Sequence, residues 1–301
     1  MNQTLKSPPV PPSHFLQKAL EKTNNAQMRV WLLEKLGRVE EAQQARTELR
    51  ELLSNGKMKI EDEAKAPEIR GGAEWHDRRL VVFENGERGI WKPGVRSDAD
   101  EHVDWKAEVG TYELAELYGL PVPMTVKRTI DGKEGSLQIL IPAMSSALEM
   151  STRDKTRKDL HGNPALLYYP RRNGLLRALD YLAVVDNRNL ENYLLPTTGT
   201  PVEKAMRPEN FQIAIDNGSA FFRTGRYEIE QQTKDLDAHP EEHDPGVDVV
   251  EKIRAVPDEL IVERLKPYQT ESYVRNVVLP RRRHFLEVMD KLHAKPTALA
   301  P

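Results

Sequence analysis

Two short apolar hairpins bracket one apolar helix between residues 79 and 142, and this pattern limits the chain more than any other feature. "RLVVFENGERGIWKP" (79–93) places Glu-Asn-Gly between two apolar runs, and "MTVKRTIDGKEGSLQILIP" (124–142) places Asp131-Gly132 between two more. Asn-Gly and Asp-Gly between apolar runs are hairpin turns, because they accept the positive φ that tight turns of antiparallel strands need. Between the hairpins lies "DADEHVDWKAEVGTYELAELYGLPVP". Its Val109, Tyr112, Leu117 and Leu120 share one face at helical spacing, and the Gly119–Pro121 region ends the run. Residues 71 to 142 therefore read loop, strand, strand, helix, strand, strand, a small α+β unit with an antiparallel sheet.

The flanks read differently. Residues 1 to 14 are rich in Pro and Ser and are expected to be disordered. Residues 15 to 53 read as two helices forming a hairpin. In the second, Val39, Ala42, Ala45, Leu49 and Leu52 repeat at helical spacing until "SNG" (54–56) stops it. Residues 57 to 73 are charged and irregular. After 142 the chain is mostly helical: "RRNGLLRALDYLAVV" carries Leu175, Leu176, Leu179 and Leu182 on one side, and "DELIVERL" and "YVRNVVLPRRRHFLEVMDKLHA" are further helices. "FQIAIDNGSAFF" (211–222) reads as a buried strand. The expected divisions are a flexible N-terminus with a helical hairpin over 1–60, units over 70–145 and 146–293, and a disordered tail over 294–301.

With 301 residues the chain can bury a sizeable core. Its formal net charge of −3 favours neither nucleic acid nor an acidic membrane. The lack of cysteine excludes disulfides, thiolate zinc sites and a Cys nucleophile. No apolar run approaches the length of a membrane span. The first twenty residues lack the basic-then-apolar pattern of a Sec signal, so the chain is expected to be cytoplasmic, with export by a route needing no such signal left open.

Four features point to chemistry. Lys92 ends a strand after a Gly-bearing turn, where an ammonium can reach the α/β-phosphates of a nucleotide; taken alone, it reads as a solvated strand-end lysine. Glu108 opens the following helix, where it can pair with Lys92 or simply face solvent. "VVDNRNLENYLLP" (184–196) ends an apolar run in a cluster of Asp, Asn and Arg before a second apolar run, as catalytic loops of phosphoryl transfer do and as plain polar turns do. Asp216, at the end of the apolar "IAI" and before Asn217-Gly218, is a carboxylate of the kind that meets Mg²⁺, or else a turn aspartate.

In this order, "RGIWKP", "EVGTYELAELYGLPVP", "GSLQ", "LDYLAVVDNRNLENYLL" and "IAIDNGSAFF" resemble the atypical kinase group, which holds the Fam20-type secretory kinases, the HipA-type kinases and the phosphatidylinositol 3/4-kinase-like proteins of bacteria. The resemblance spans about residues 70 to 290 and rests on the ordered set rather than on any single motif. It implies a two-lobed protein-kinase-like α+β fold with a mostly helical C-lobe, preceded by the helical hairpin. It also implies ATP and Mg²⁺ or Mn²⁺ between the lobes. Lys92 would contact the phosphates and pair with Glu108, and the Gly71-Gly72 region would cover the phosphates. Backbone groups near Gln138 to Pro142 would meet adenine, and Asn192 and Asp216 would hold the metal ions.

One position departs from the group. Counting back five residues from Asn192, the base position falls on Asn187, and an amide does not accept a proton as a carboxylate does. Asp186 could serve in its place through a one-residue bulge. Arg188 follows as Arg often does in this group, whereas Asn189 stands where His is frequent. The expected function is an ATP-dependent phosphotransferase acting on an unknown protein, lipid or small-molecule acceptor, with a pseudokinase acting as a nucleotide-regulated binding module as the alternative. Transfer of another group, such as AMP, is a third reading, since fold does not set chemistry. Neither nucleic acid nor a membrane span is expected. Elsewhere, Arg281–Arg283 open a helix and read as a solvated face, and His239 and His243 read as part of a polar loop rather than a metal site.

Overall fold

The computed structural model describes residues 13–61, 78–94, 105–142, 144–146, 174–185, 192–196, 212–215, 217, 218, 220, 221 and 226–294. Three helices come first: α1 (Ser13–Lys22), α2 (Ala26–Lys35) and α3 (Val39–Asn55). Two had been expected. The extra break falls at Thr23–Asn25, where the Asn25 side chain accepts from the Met28 amide at 3.0 Å and so caps α2. In α3 the residues that are buried are Ala42, Ala45, Leu49 and Leu53, whereas Val39, at the helix start, is 71% exposed.

A five-stranded antiparallel sheet follows, in the order β1-β2-β3-β5-β4. Its strands are β1 (Met58–Glu61), β2 (Arg79–Phe83), β3 (Arg88–Pro93), β4 (Thr125–Ile130) and β5 (Lys133–Ile139). Both expected hairpins form. Asp131 and Gly132 take φ of 50° and 75°, the backbone of a two-residue turn with both central residues left-handed. The edge strand β1 was read as irregular, because its alternation runs through charged residues. Helix α4 (Trp105–Tyr118) lies between the hairpins in sequence. It is buried almost all round, from Ala107 to Ala115, so the single apolar face inferred from spacing understates its contacts.

The second half contains α5 (Gly174–Leu182) and a small antiparallel sheet of β6 (Met144–Ser146), β7 (Tyr193–Pro196) and β8 (Ile213–Ala214). The strand expected over 211–222 is only two residues long among the described residues. Then come α6 (Arg226–Ala238), α7 (Val247–Ala255) and α8 (Asp258–Leu265). A last continuous helix runs through Glu271–Tyr273 and a π-helical turn, Val274–Val278, into α9 (Leu279–His293). Helix α6 has few apolar residues scattered among charges, and α7 is a short run of nine residues with only Val250 and Ile253 buried, so neither gives a long periodic signal. One apolar core runs from Leu49 and Leu53 of α3 through the sheet and α4 to α5, β7 and α7–α9; a second joins α1 and α2 to Ile141 and Ile213.

Of the three arginines expected on a solvated face, Arg283 is exposed but the other two are not. Arg281 and Arg282 are 5% and 6% exposed. Arg281 donates to the carbonyl of Tyr181 and stacks over the Tyr181 ring at 3.9 Å. Arg282 donates to the carbonyls of Ile253, Arg254 and Val256 and to Asp258, binding the end of α7 to the start of α8. Buried guanidiniums are retained only where their donors are satisfied, and unpaired carbonyls at a helix end are acceptors of that kind.

Candidate functional site

Lys92 and Glu108 meet. Lys92 is the fifth residue of β3, in register with Ser136 of β5, and its Nζ donates to Glu108 Oε1. Their side chains are 12% and 2% exposed, so both of the solvated readings are set aside. The second oxygen of Glu108 is used as well, since Oε2 accepts from the backbone amide of Asn217 at 3.1 Å. One carboxylate thus ties together β3, α4 and the turn after β8, elements that lie 16 and 109 residues apart. A negative charge between an ammonium and an amide in a water-poor setting fixes the lysine's direction without neutralising its remaining donors.

Close packing reinforces this junction. A Cβ at Gly110 would come within 3.3 Å of the Phe221 ring, so the first turns of α4 lie against the segment that follows Asn217. Phe221 itself has φ 54°, and its amide donates to Ala183 at the end of α5 (2.8 Å). Val184 has φ 56°. A β-branched residue in the left-handed region is strained, and such strain persists only where the surroundings enforce it. Among the described residues, the two non-glycine residues in this conformation outside the 131–132 hairpin turn therefore lie in or beside the two stretches singled out in the sequence, 184–196 and the one around residue 216.

Asn192 is 8% exposed, and its carbonyl accepts from the amide of Ile215 at 3.0 Å. This bond places Asn192 beside the residue that precedes Asp216. Asp216 itself lies outside the described residues, as do Asp186, Asn187, Arg188, Asn189, Gly71 and Gly72. The residues framing position 216 are described on both sides: Ile215 is bonded to Asn192 and Asn217 to Glu108. An amide oxygen and a carboxylate at these positions are hard oxygen donors of the type that Mg²⁺ takes, so the residue types fit a divalent ion paired with phosphate.

Where adenine contacts were expected, Leu140 already has partners. Its amide donates to the Arg88 carbonyl (2.8 Å) and its carbonyl accepts from Asn25 Nδ2 (3.0 Å). Gln138 donates from its side chain to Thr125 Oγ1. The bond from Asn25 shows that the α1–α2 junction backs this stretch, a connection without any local sequence signal because the partners are 115 residues apart.

His243 is buried, and its Nε2 lies 3.2 Å from Arg177 Nε and 3.1 Å from Asp235. Among the described residues no group of three or more His, Asp or Glu is arranged to hold a metal. No helix among them is long and apolar enough to cross a membrane.

No protein-family model matches the sequence, and no curated protein matches it. Among solved structures, the chain is similar to the Helicobacter pylori proinflammatory kinase CtkA, with a TM-score of 0.49 and 10% identity, covering 81% of this chain and 99% of that one. It is also similar to HipA of the Shewanella oneidensis MR-1 toxin–antitoxin system, solved with HipB and its operator DNA, with a TM-score of 0.33 and 12% identity, covering 80% of this chain and 73% of that one.

Proposed function

We propose that this chain is an atypical kinase: a two-lobed phosphotransferase that binds ATP with Mg²⁺ or Mn²⁺ and transfers its γ-phosphate to a protein, lipid or small-molecule acceptor. The observation that carries the reading is the Glu108 carboxylate, which holds Lys92 with one oxygen and the amide next to Asp216 with the other. Phosphoryl transfer depends mainly on positioning and charge stabilisation, and a fixed ammonium joined through one carboxylate to the residue after a candidate metal ligand supports that reading.

Each residue then has a role. Lys92 orients the α/β-phosphates, and Glu108 keeps its ammonium extended. Asn192 and Asp216 would hold the metal, which when bound neutralises charge on the phosphate oxygens. The Gly71-Gly72 region would close over the phosphates, and adenine would meet backbone groups from Ile141 onward, because Leu140 is engaged. Asp186 would accept the proton of the attacking hydroxyl. A second reading, a pseudokinase that binds nucleotide without turnover, is favoured by the amide at Asn187, since loss of general-base assistance costs about 10²–10⁴-fold in rate.

The test is calorimetric titration of the protein with ATP, with and without Mg²⁺ or Mn²⁺, alongside Asp216→Ala. Metal-dependent binding that disappears in Asp216→Ala is expected; equal affinity in the variant removes Asp216 from the metal site, and no binding by the native chain removes the nucleotide function. ADP release by Asp186→Asn then separates the two readings. Loss of turnover with binding retained identifies the base, whereas a native chain that binds ATP and never turns it over is a pseudokinase.

A further inference from the structure

Helix α4 is held at its far end by an ionic network unconnected with Lys92. Glu113 and Glu116 are 5% and 10% exposed at the side chain. From α3, Arg50 donates to Glu113 (2.7 Å) and to Glu116 (2.8 Å). From α8, Arg264 contacts the same two carboxylates, Glu116 at 3.2 Å. Tyr112 donates its hydroxyl to Glu116 at 2.7 Å, and Arg46 lies 3.6 Å from it. Burial pulls the Arg50 guanidinium down, but Glu116 and Glu113 outweigh it and raise it. Burial likewise pushes Glu116 up, but Arg50, the Tyr112 hydroxyl, Arg46 and Arg264 hold it below the usual carboxylate range.

This arrangement is more than a surface ion pair. Two carboxylates inside an otherwise buried helix are no more stabilising than well-packed apolar residues would be, so their contribution lies in geometry. The fork of Arg50 spans the two carboxylates, one nitrogen to each, and Arg264 reaches both from α8; a planar fork fixes direction as well as distance. A helix is stiff and rises 1.5 Å per residue, so Glu113 and Glu116 stand about 7.5 and 12 Å along the axis from Glu108. Holding them sets both the rotation and the axial position of Glu108. The same N-terminal layer is tied to the sheet: Arg128 donates to the carbonyls of Leu53 and Gly56, and Gln27 accepts from the Met124 amide at 2.7 Å.

We propose that Arg50 and Arg264 are positioning residues which, through Glu113 and Glu116, hold α4 in the orientation that brings Glu108 to Lys92, so that residues 39–55 serve as a built-in clamp on the site. This rests on the reading of Lys92 and Glu108 as part of a nucleotide site. The clamp replaces an external activator: the pair is assembled in the isolated chain, and any ligand or partner that draws α3 away from α4 would turn the site off.

The experiment uses the full chain and needs no substrate. Trace acylation with acetic anhydride, read residue by residue by mass spectrometry, reports how well Lys92 is shielded by Glu108. In Glu113→Gln/Glu116→Gln, which leaves no buried charge unpaired on α4, Lys92 should be acylated about tenfold faster, equivalent to 1.4 kcal/mol of lost pairing. Arg50→Lys keeps the charge but loses the fork and should fall between; it also serves if the double variant does not fold. Arg177→Met disturbs a separate ion network and should leave Lys92 at its native rate. Native reactivity of Lys92 in the folded Gln variant and in Arg50→Lys overturns the proposal, as does an equal rise in Arg177→Met. ATP titration of the same proteins separates the two claims. If the native chain binds no ATP but Lys92 responds as described, the nucleotide function fails and the clamp stands.

Discussion

Replacing the charges of the Lys92–Glu108 pair one at a time, then together, distinguishes an ion pair kept for function from one kept for stability. The side chains are 12% and 2% exposed, so both charges are largely withdrawn from water and face each other. Two unit charges about 4 Å apart attract by about 4 kcal/mol at the effective dielectric of such sites, and removing one member of a buried pair costs about 3–5 kcal/mol. Lys92→Met strands the better-buried member. It leaves Glu108 with the Asn217 amide as its partner among the described residues and should lie near the upper end of that range. Glu108→Gln should cost less, about 3 kcal/mol, because Lys92 retains some access to water and the Gln oxygen still accepts from Asn217. The double variant keeps that amide bond and buries no charge, so it should lose only about 1 kcal/mol. The assay is urea unfolding of all four proteins, closed as a double-mutant cycle with a coupling of about 5 kcal/mol or more. Additive single effects well below 1 kcal/mol would falsify the claim that the pair is desolvated. The cycle has a functional arm. The double variant should fold yet bind no ATP, and ATP affinity equal to that of the native chain would remove Lys92 from the site.

Two further outcomes are expected. Arg282→Met should lower stability by about 3–4 kcal/mol in thermal or urea unfolding, because it strands the carbonyls of Ile253, Arg254 and Val256 and leaves Asp258 without its guanidinium; a loss under 1 kcal/mol would mean that water replaces those bonds. Burial, and next the Arg177 guanidinium, hold the His243 imidazole below its ordinary value of 6.5. The unfolded chain therefore binds the proton first, and stability should fall as pH drops below about 6.5, by up to about 1.4 kcal/mol per pH unit until the folded ring also titrates. His243→Gln should flatten that part of the stability–pH curve, and an unchanged slope would assign it to other groups.

The elements most legible in the sequence were those whose signals are local. The 79–93 and 124–142 hairpins announce themselves by a turn dipeptide between apolar runs, and α4 and α5 by apolar spacing. Each depends on residues within a few positions of one another, which is the range over which backbone preference and side-chain periodicity act. Helix α6 carries little local signal because charges interrupt its apolar period, α7 because it is short, and the break between α1 and α2 because its cap is a single Asn. Arg281 and Arg282 were misread for a related reason. Three arginines in a row resemble a solvated face until α7, α8 and Tyr181 supply acceptors for the first two.

The site divides in the same way. By itself, the sequence determined which residue types could take part: a strand-end Lys92, a helix-start Glu108, the 184–196 loop with Asn192, and Asp216 before Asn217-Gly218. It could not decide whether any of them meet. Only the tertiary structure brought Glu108 to both Lys92 and the Asn217 amide, and Glu113 and Glu116 between Arg50 and Arg264, across separations of up to 151 residues. Such contacts depend on how whole elements pack. A carboxylate on a helix carries no local mark of whether its partner will be water, a lysine on a neighbouring strand or an amide a hundred residues away.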